Sequence, residues 1–216
     1  MNRGTPLLEA QDLFVFRGAT RIVEGFSVSI RRGEVVGLAG TNGSGKTTLF
    51  EAIAGERPSK GILRWEGRRI DRLPAYRRAG LGLSLLPQTP SVFRGLTVQE
   101  NLLLALQISR VADVDYQSAV LLRELQLEAV ARKKAGAISV GERRRLEIAR
   151  SLALKPRLLL MDEPFAGLDA LGCERLEESI AVRVDTGLAV MVTDHDRARL
   201  RRLAHRVVDL SETGIG

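Results

Sequence analysis

Cysteine is nearly absent. Cys173 stands alone among 216 residues, which excludes an intramolecular disulfide and any cysteine-cluster metal site; a small, partly buried residue is the expected role. Aromatic side chains make up only 4% of the chain, too few to build a base-stacking platform among the basic residues. No uninterrupted apolar stretch is long enough to cross a bilayer. The start, MNRGTPLLEAQD, lacks the apolar stretch of a secretory signal, so the chain is expected to stay in the cytoplasm. Internal repeats, low-complexity tracts and linkers are also missing.

What is present is an ordinary apolar share, 44%, enough for a sizeable core in one domain. The net charge is +7 and the pI near 10.3, a balance that favours nucleic acid or an acidic membrane surface as a neighbour. The arginines, however, occur in scattered groups: Arg31–Arg32, Arg68–Arg69, Arg77–Arg78, Arg143–Arg145 and Arg201–Arg202. With no basic tail or stripe, a solvated basic surface is the reading, and no specific nucleic acid is expected.

Short β-like runs open the chain. LLEAQDLFVF (7–16) and FSVSI (26–30) read as strands, and EVVGLAG (34–40) is a continuous apolar run that suits a buried parallel strand. KTTLFEAIAG (46–55) has helical spacing and stops at Gly55. Strands are expected at 61–65 and 81–87. From about Val98 to Ala153 the pattern is helical, in VQENLLLALQIS, SAVLLRELQLEAV and VGERRRLEIARSLAL. LLLMD (158–162) and LAVMVTD (188–194) restore buried strands with a helix between them. An α/β core interrupted by a helical insertion follows.

The sharpest local signal is Gly40-Thr41-Asn42-Gly43-Ser44-Gly45-Lys46-Thr47-Thr48. It satisfies G-x-x-x-x-G-K-[ST] and lies between a predicted buried strand and a predicted helix, where that motif must lie. Its glycines let backbone N–H groups surround phosphate oxygens, with the helix N-terminus facing the anion. Lys46 is placed for the β- and γ-phosphates, and the Thr47 hydroxyl for Mg²⁺. Further on, two adjacent carboxylates, Asp162 and Glu163, emerge at the end of a predicted buried strand. Strand alternation would send them to opposite faces, so Asp162 would hold hydrated Mg²⁺ and Glu163 would polarise an attacking water. His195 follows another inner strand, where ligands of α/β folds gather; His205 sits among arginines with no motif and reads as structural.

Between these halves lies Ile138-Ser139-Val140-Gly141-Glu142, which runs on to Arg150. It resembles the signature segment of the ABC ATPase family, usually L-S-G-G-Q followed by a helix. Other family elements occur in order: Phe16 for an adenine-stacking aromatic, Gln88 for a metal-sensing loop, Phe165-Ala-Gly-Leu-Asp169 after the carboxylates, and His195. The resemblance covers Leu8 to about Leu210. It implies an α/β P-loop NTPase of ABC type in a single domain, 1–216. The core, 1–87 and 154–216, would hold a parallel sheet and an N-terminal antiparallel β subdomain, with a helical insertion at about 88–153. It also implies ATP and Mg²⁺, the metal held by Thr47, Asp162 and Gln88. Catalysis would fall to Glu163, His195 and Lys46.

Independently of the resemblance, Ser139-x-x-Glu142 is a capping box, which starts a helix and leaves N–H groups for an anion. In ABC ATPases this end meets the γ-phosphate held by the opposite subunit. One phosphate loop and one signature per chain therefore imply a homodimer or a paired ATPase chain, with Asp169 in the dimer loop. Val140 departs from the usual glycine and Glu142 from glutamine. Only 21 residues follow His195, so the longer tail of many relatives is expected to be absent.

Within the family, LPQTPSVFRGLTVQENL, GERRRLEIAR, DEPFAGLD and TDHD look like ATPases of lipopolysaccharide export, and branched-chain amino-acid importer ATPases share much of this. Both readings imply a peripheral subunit at the cytoplasmic face of the inner membrane, working with transmembrane permease subunits that dock at Phe93 and Arg94. A soluble ABC protein acting on DNA or ribosomes is the third reading. Against it, only 90 residues separate Thr48 from Ser139, with no sustained heptad pattern.

Overall fold

The computed structural model describes residues 4–210. They fall into two compact units, one built from the residues up to Leu85 with Arg157–Asp162 and from Arg183 onward, the other from Leu86–Pro156 and Glu163–Val182.

In the first unit, β1 (Leu8–Arg17) and β2 (Thr20–Ile30) pair antiparallel. β3 (Val35–Ala39) leads into α1 (Lys46–Ala54), followed by β4 (Ser59–Trp65), the two-residue β5 (Arg68–Arg69), α2 (Ala75–Gly80) and β6 (Leu83–Leu86). One sheet has the order β2-β1-β4-β5. Along β1, Leu8 and Ala10 are buried, then Leu13 and Val15, so the two-residue alternation slips by one at Asp12. Asp12 has φ 49° and its N–H donates to Ser27 Oγ, marking a β-bulge. Opposite it stands Gly61, where a Cβ would come within 2.3 Å of the Asp12 carbonyl oxygen; only glycine fits there. β2 begins six residues earlier than its apolar run, because the exposed Thr20 and Arg21 stay in the ladder opposite Arg17 and Phe16.

The helices of the second unit are α3 (Val98–Ile108), α4 (Val114–Glu124) and α5 (Val140–Ala153). α3 starts on a capping box, Thr97 with Glu100. The helix read over 118–130 is instead two pieces: α4 ends at Glu124, Gln126 turns left-handed at φ 53°, and Glu128–Val130 forms one 3-10 turn. Leu121, Leu122, Leu125, Leu127 and Val130 are all buried. Apolar spacing therefore runs through the break and hides it.

The chain closes with β7 (Leu158–Met161), α6 (Ala170–Asp185), β8 (Ala189–Val192), α7 (Arg197–Leu203) and β9 (Arg206–Asp209). The second sheet has the order β6-β7-β8-β3-β9, with β7–β8, β8–β3 and β3–β9 parallel. β3, β7 and β8 are apolar and buried on both faces, as parallel central strands require. Leu38, Leu160 and Met191 from this sheet share one core with Phe26, Phe50 and Ile53. His205 serves that sheet: its Nδ1 accepts from the Val35 N–H at 3.0 Å.

Two arginines of the expected solvated surface are buried. Arg144 belongs to the site below. Arg78, 3% exposed, donates to the carbonyls of Ala52 and Ile53 at the end of α1 and to those of Asp71 and Leu73, all at 2.8–2.9 Å. Burial pushes its guanidinium pKa down, and the nearby Asp71 charge opposes that. The four carbonyls are what make a buried cation tolerable here. Arg78→Met, of similar length and without donors, should cost on the order of 3 kcal/mol, because several buried acceptors lose their partner. Urea denaturation checks this; a midpoint equal to that of the parent chain would remove Arg78 as a structural tie.

Candidate functional site

In the first unit, the carboxyl ends of β3, β7 and β8 lie side by side, and the chain segments leaving them carry the phosphate-loop motif, Asp162 and His195. Between β3 and α1 the loop runs through Gly40–Gly45. Gly45 adopts φ 101°, and a Cβ there would meet Ile22 Cγ2 at 2.7 Å, so both backbone angle and packing demand glycine. No side chain caps the N-terminus of α1. Its first N–H groups are thus left for an anion. Ser44 Oγ is buried without a hydrogen-bond partner, a hydroxyl that a phosphate oxygen would satisfy. The Lys46 ammonium donates to the carbonyls of Gly40 and Thr41 at 2.9 and 3.0 Å, holding it within the loop.

Thr47 opens the helix beside Asp162. Its hydroxyl donates to Asp162 Oδ2 at 2.6 Å, and the Thr193 hydroxyl donates to Oδ1 at 2.8 Å. Asp162 is 1% exposed. Sequence reasoning did not identify Thr193; its signal was a hydroxyl two residues before His195 at the end of a buried strand. His195 is exposed at the same end of the sheet. Phe16 lies near the end of β1, paired with Arg21 across the hairpin. Its ring is half-buried, with the Lys60 ammonium 5.5 Å from the centroid.

The second unit holds Glu163 and Gln88. Gln88 Nε2 donates to Glu163 Oε2 at 2.9 Å. The division of the two carboxylates has a different origin from strand alternation. β7 ends at Met161, and Glu163 has φ 48°, a left-handed conformation rare outside glycine. Arg144 holds this turn: it donates to the carbonyls of Glu163, Pro164 and Pro87 at 3.0, 3.3 and 2.9 Å. It also donates to Glu147 Oε2 at 3.1 Å, while Glu147 Oε1 accepts from the Ser91 N–H at 2.7 Å. One buried ion pair on α5 thus ties the segments carrying Gln88 and Glu163. It lay hidden in the run Arg143–Arg145, whose only clue was the i,i+3 spacing of Arg144 and Glu147.

Ser139 and Glu142 form the capping box that starts α5: Ser139 Oγ accepts from the Glu142 N–H, and Glu142 Oε2 accepts from the Ser139 N–H at 2.7 Å. The Val140 and Gly141 N–H groups remain for an anion. Val140 is 71% exposed, and a Cβ on Gly141 would come within 3.1 Å of the Gly167 carbonyl oxygen. Asp169 Oδ1 accepts from the Gly172 N–H at 2.8 Å in the first turn of α6, a local role its place in the sequence did not reveal.

Phe93 is 48% exposed on a firmly built loop. Asn101, fully buried, bonds both the N–H and the carbonyl of Phe93 at 3.0 Å. The Arg150 guanidinium lies 4.7 Å from the ring centroid and donates to the Ser91 carbonyl. Arg94 is exposed beside it.

A phosphate loop, a buried carboxylate bonded to its threonine, and a second carboxylate facing a glutamine define a nucleoside-triphosphate hydrolase. The family described as ABC transporter matches residues 23–166. The chain is 43% identical over 193 residues to the lipopolysaccharide export system ATP-binding protein LptB of Acidithiobacillus ferridurans, covering 88% of this chain and 80% of that protein. It is 36% identical to the Escherichia coli K12 protein of the same name, covering 95% and 87%. A solved ATP-binding subunit of an ABC transporter superposes with a TM-score of 0.85 at 31% identity, over 94% of this chain and 85% of that one. A dimeric ATP-binding cassette bound to ADP and Pi shares the fold at 23% identity and a TM-score of 0.85, over 94% and 93%.

The chain belongs to the ABC transporter ATPase family, and it is the ATP-binding and hydrolysing subunit of a transporter. Among the described residues, no helix is long and apolar enough to cross a membrane.

The capping box carries a pH signature. The Ser139 N–H, and after it the Ser139 hydroxyl, holds the Glu142 carboxyl below the usual glutamate range. Its folded pKa lies below the unfolded one, so its stabilisation is complete above the unfolded value and is lost as pH falls through the folded value. Glu142→Gln should therefore lose less stability than the parent chain on acidification. Urea midpoints from neutral to acid pH measure this, and identical acid limbs would refute the role of the carboxylate.

Proposed function

We propose that two such chains, or this chain and a second ATPase chain, close on two ATP molecules and power lipopolysaccharide-type export. In this reading the phosphate loop of each chain holds one nucleotide, with Lys46 on the β- and γ-phosphates and Phe16 stacked on adenine. The α5 N-terminus, Ser139–Glu142, faces the γ-phosphate held by the opposite chain. Asp169 lies at the dimer loop.

The observation that carries the reading is the division of labour between the carboxylates. Asp162 is buried and occupied by two hydroxyls, whereas Glu163 is turned aside by its backbone and faces Gln88. The first is suited to holding charge in place and the second to taking up a proton from water. His195 would contact the γ-phosphate and help orient that water.

The donor set at Thr47 and Asp162 fits Mg²⁺. A hydroxyl and a carboxylate oxygen 2.6 Å apart are hard donors, and among the described residues no cluster of three or more His, Cys, Asp or Glu surrounds them. Such a sparse oxygen set suits an ion that keeps water and substrate phosphate as ligands. Thr47, Asp162 and Gln88 would hold it, and it would neutralise charge on the phosphates when bound. Glu163→Gln should keep ATP binding and lose on the order of 10²–10⁴ in turnover, with ATP now trapping the closed dimer. Phosphate release and size-exclusion chromatography with ATP test both halves; undiminished hydrolysis would remove Glu163 as the base.

Export as the direction rests on the similarity to the two lipopolysaccharide export proteins. The chain would sit peripherally on the cytoplasmic face of the inner membrane, held by transmembrane subunits. Phe93 suits such docking: its backbone is fixed by Asn101 while its ring stays half in solvent, with Arg94 beside it. A pre-positioned aromatic of this kind is a typical interface anchor, worth ~2 kcal/mol or more on truncation. Phe93→Ala should leave the subunit folded and hydrolysing ATP but detach it from its membrane complex. Co-purification beside the melting temperature and ATPase rate decides: a folded mutant that assembles normally would exclude Phe93 from the interface.

A further inference from the structure

The first unit carries a second concentrated charge, away from the phosphate loop in sequence and unused by the chemistry above. Residues 68–78 read RRIDRLPAYRR, five arginines against one aspartate. Arg78 is the buried tie to α1, and Arg69 is held in a two-pronged bond by Asp71 at 2.9 and 3.1 Å. Arg68, Arg72 and Arg77 remain exposed, and among the described residues no carboxylate pairs with them. Tyr76 is 72% exposed between them, with the Arg77 guanidinium 5.9 Å from its ring centroid. Arg69, Asp71, Arg72 and Leu73 line a shallow cavity of about 300 Å³.

The patch is rigidly presented. β5 pairs with β4 through Arg69 opposite Arg64 and Arg68 opposite Trp65, at the edge of the antiparallel sheet. Arg78 bonds the carbonyls of Asp71 and Leu73 on one side and of Ala52 and Ile53 on the other. The backbone that carries the exposed arginines is thus already ordered, so binding costs only the ordering of their side chains.

We infer that this edge, built from Arg68, Arg72, Arg77 and Tyr76, is a binding surface for the acidic headgroups of a phospholipid membrane. The cations complement lipid phosphates, and a lone exposed tyrosine beside arginine is the pairing that sits at a membrane–water boundary. Nucleic acid fits less well. It calls for a longer track of cations and several stacking rings, and this patch has one ring. The inference goes beyond the docking of transmembrane subunits, since it needs lipid alone.

Flotation of the full-length chain with vesicles tests it. Binding is expected to phosphatidylcholine–phosphatidylglycerol vesicles and not to phosphatidylcholine alone, and it should vanish near 1 M salt, where screening acts within ~3 Å. Each arginine close to an acidic surface is worth ~5-fold in partitioning. The triple variant Arg68→Gln, Arg72→Gln, Arg77→Gln should therefore lose about 100-fold, with its ATPase rate in solution unchanged. A control removing three charges elsewhere, Arg123→Gln, Arg132→Gln and Lys133→Gln, should keep most of the binding. Equal loss in the control, equal binding to neutral vesicles, or no loss in the triple variant would overturn the inference. So would tighter binding of a single-stranded oligonucleotide through the same three arginines. Phe93→Ala should bind vesicles normally, so a failed permease interface and a failed lipid surface give different results.

Discussion

A carboxylate taken almost wholly out of water has to be satisfied by donors, and Asp162 imposes that constraint on the first unit. At 1% exposure it would be strongly destabilising if left alone. Thr47 answers it from the first turn of α1 and Thr193 from the segment leaving β8. The ends of two neighbouring strands and the start of the phosphate-loop helix are therefore joined through one side chain. Lys46, one residue before Thr47, is directed back over the loop carbonyls by the same helix start. The phosphate-binding backbone needs such support, because a glycine-rich loop has little side-chain packing of its own.

The second unit solves the opposite problem, a buried cation. Arg144 and Glu147 form an ion pair with side chains 7% and 3% exposed. Breaking a buried pair is costly, but such pairs are often retained for the geometry they impose rather than for net stability. Here the geometry is explicit. Arg144 bonds the carbonyls of Pro87, Glu163 and Pro164, and Glu147 takes the Ser91 N–H. Glu163 can keep its left-handed backbone because its own carbonyl and the next are gripped from α5. The same helix carries the capping box at its start, with Ser139 and Glu142, and Arg150 under the Phe93 ring near its end. One helix thereby organises the signature end, the carboxylate turn and the exposed aromatic of this unit.

Arg78 repeats the principle in the first unit with carbonyl partners only. Its tie to the last turn of α1 keeps α2 and the loop before it in a fixed place, so the basic edge around Arg72 and Arg77 stands on a rigid base.

The sequence by itself determined the fold class, the phosphate loop, both carboxylates and the start of α5. Each of these rests on local chemistry: glycines where the backbone needs positive φ, apolar runs bounded by turn residues, and a serine three residues before a glutamate. Tertiary structure decided the rest. The bulge at Asp12 exists because Gly61 on another strand admits its carbonyl, and the break after α4 is invisible to apolar spacing because both sides of it are buried. The parting of Asp162 and Glu163 came from a left-handed backbone held by Arg144, a contact across 19 residues, and not from strand alternation. Arg78 and Arg144 look in sequence like members of surface charge runs. Their burial depends on carbonyl groups that only folding brings together, and no local pattern encodes where those carbonyls will point.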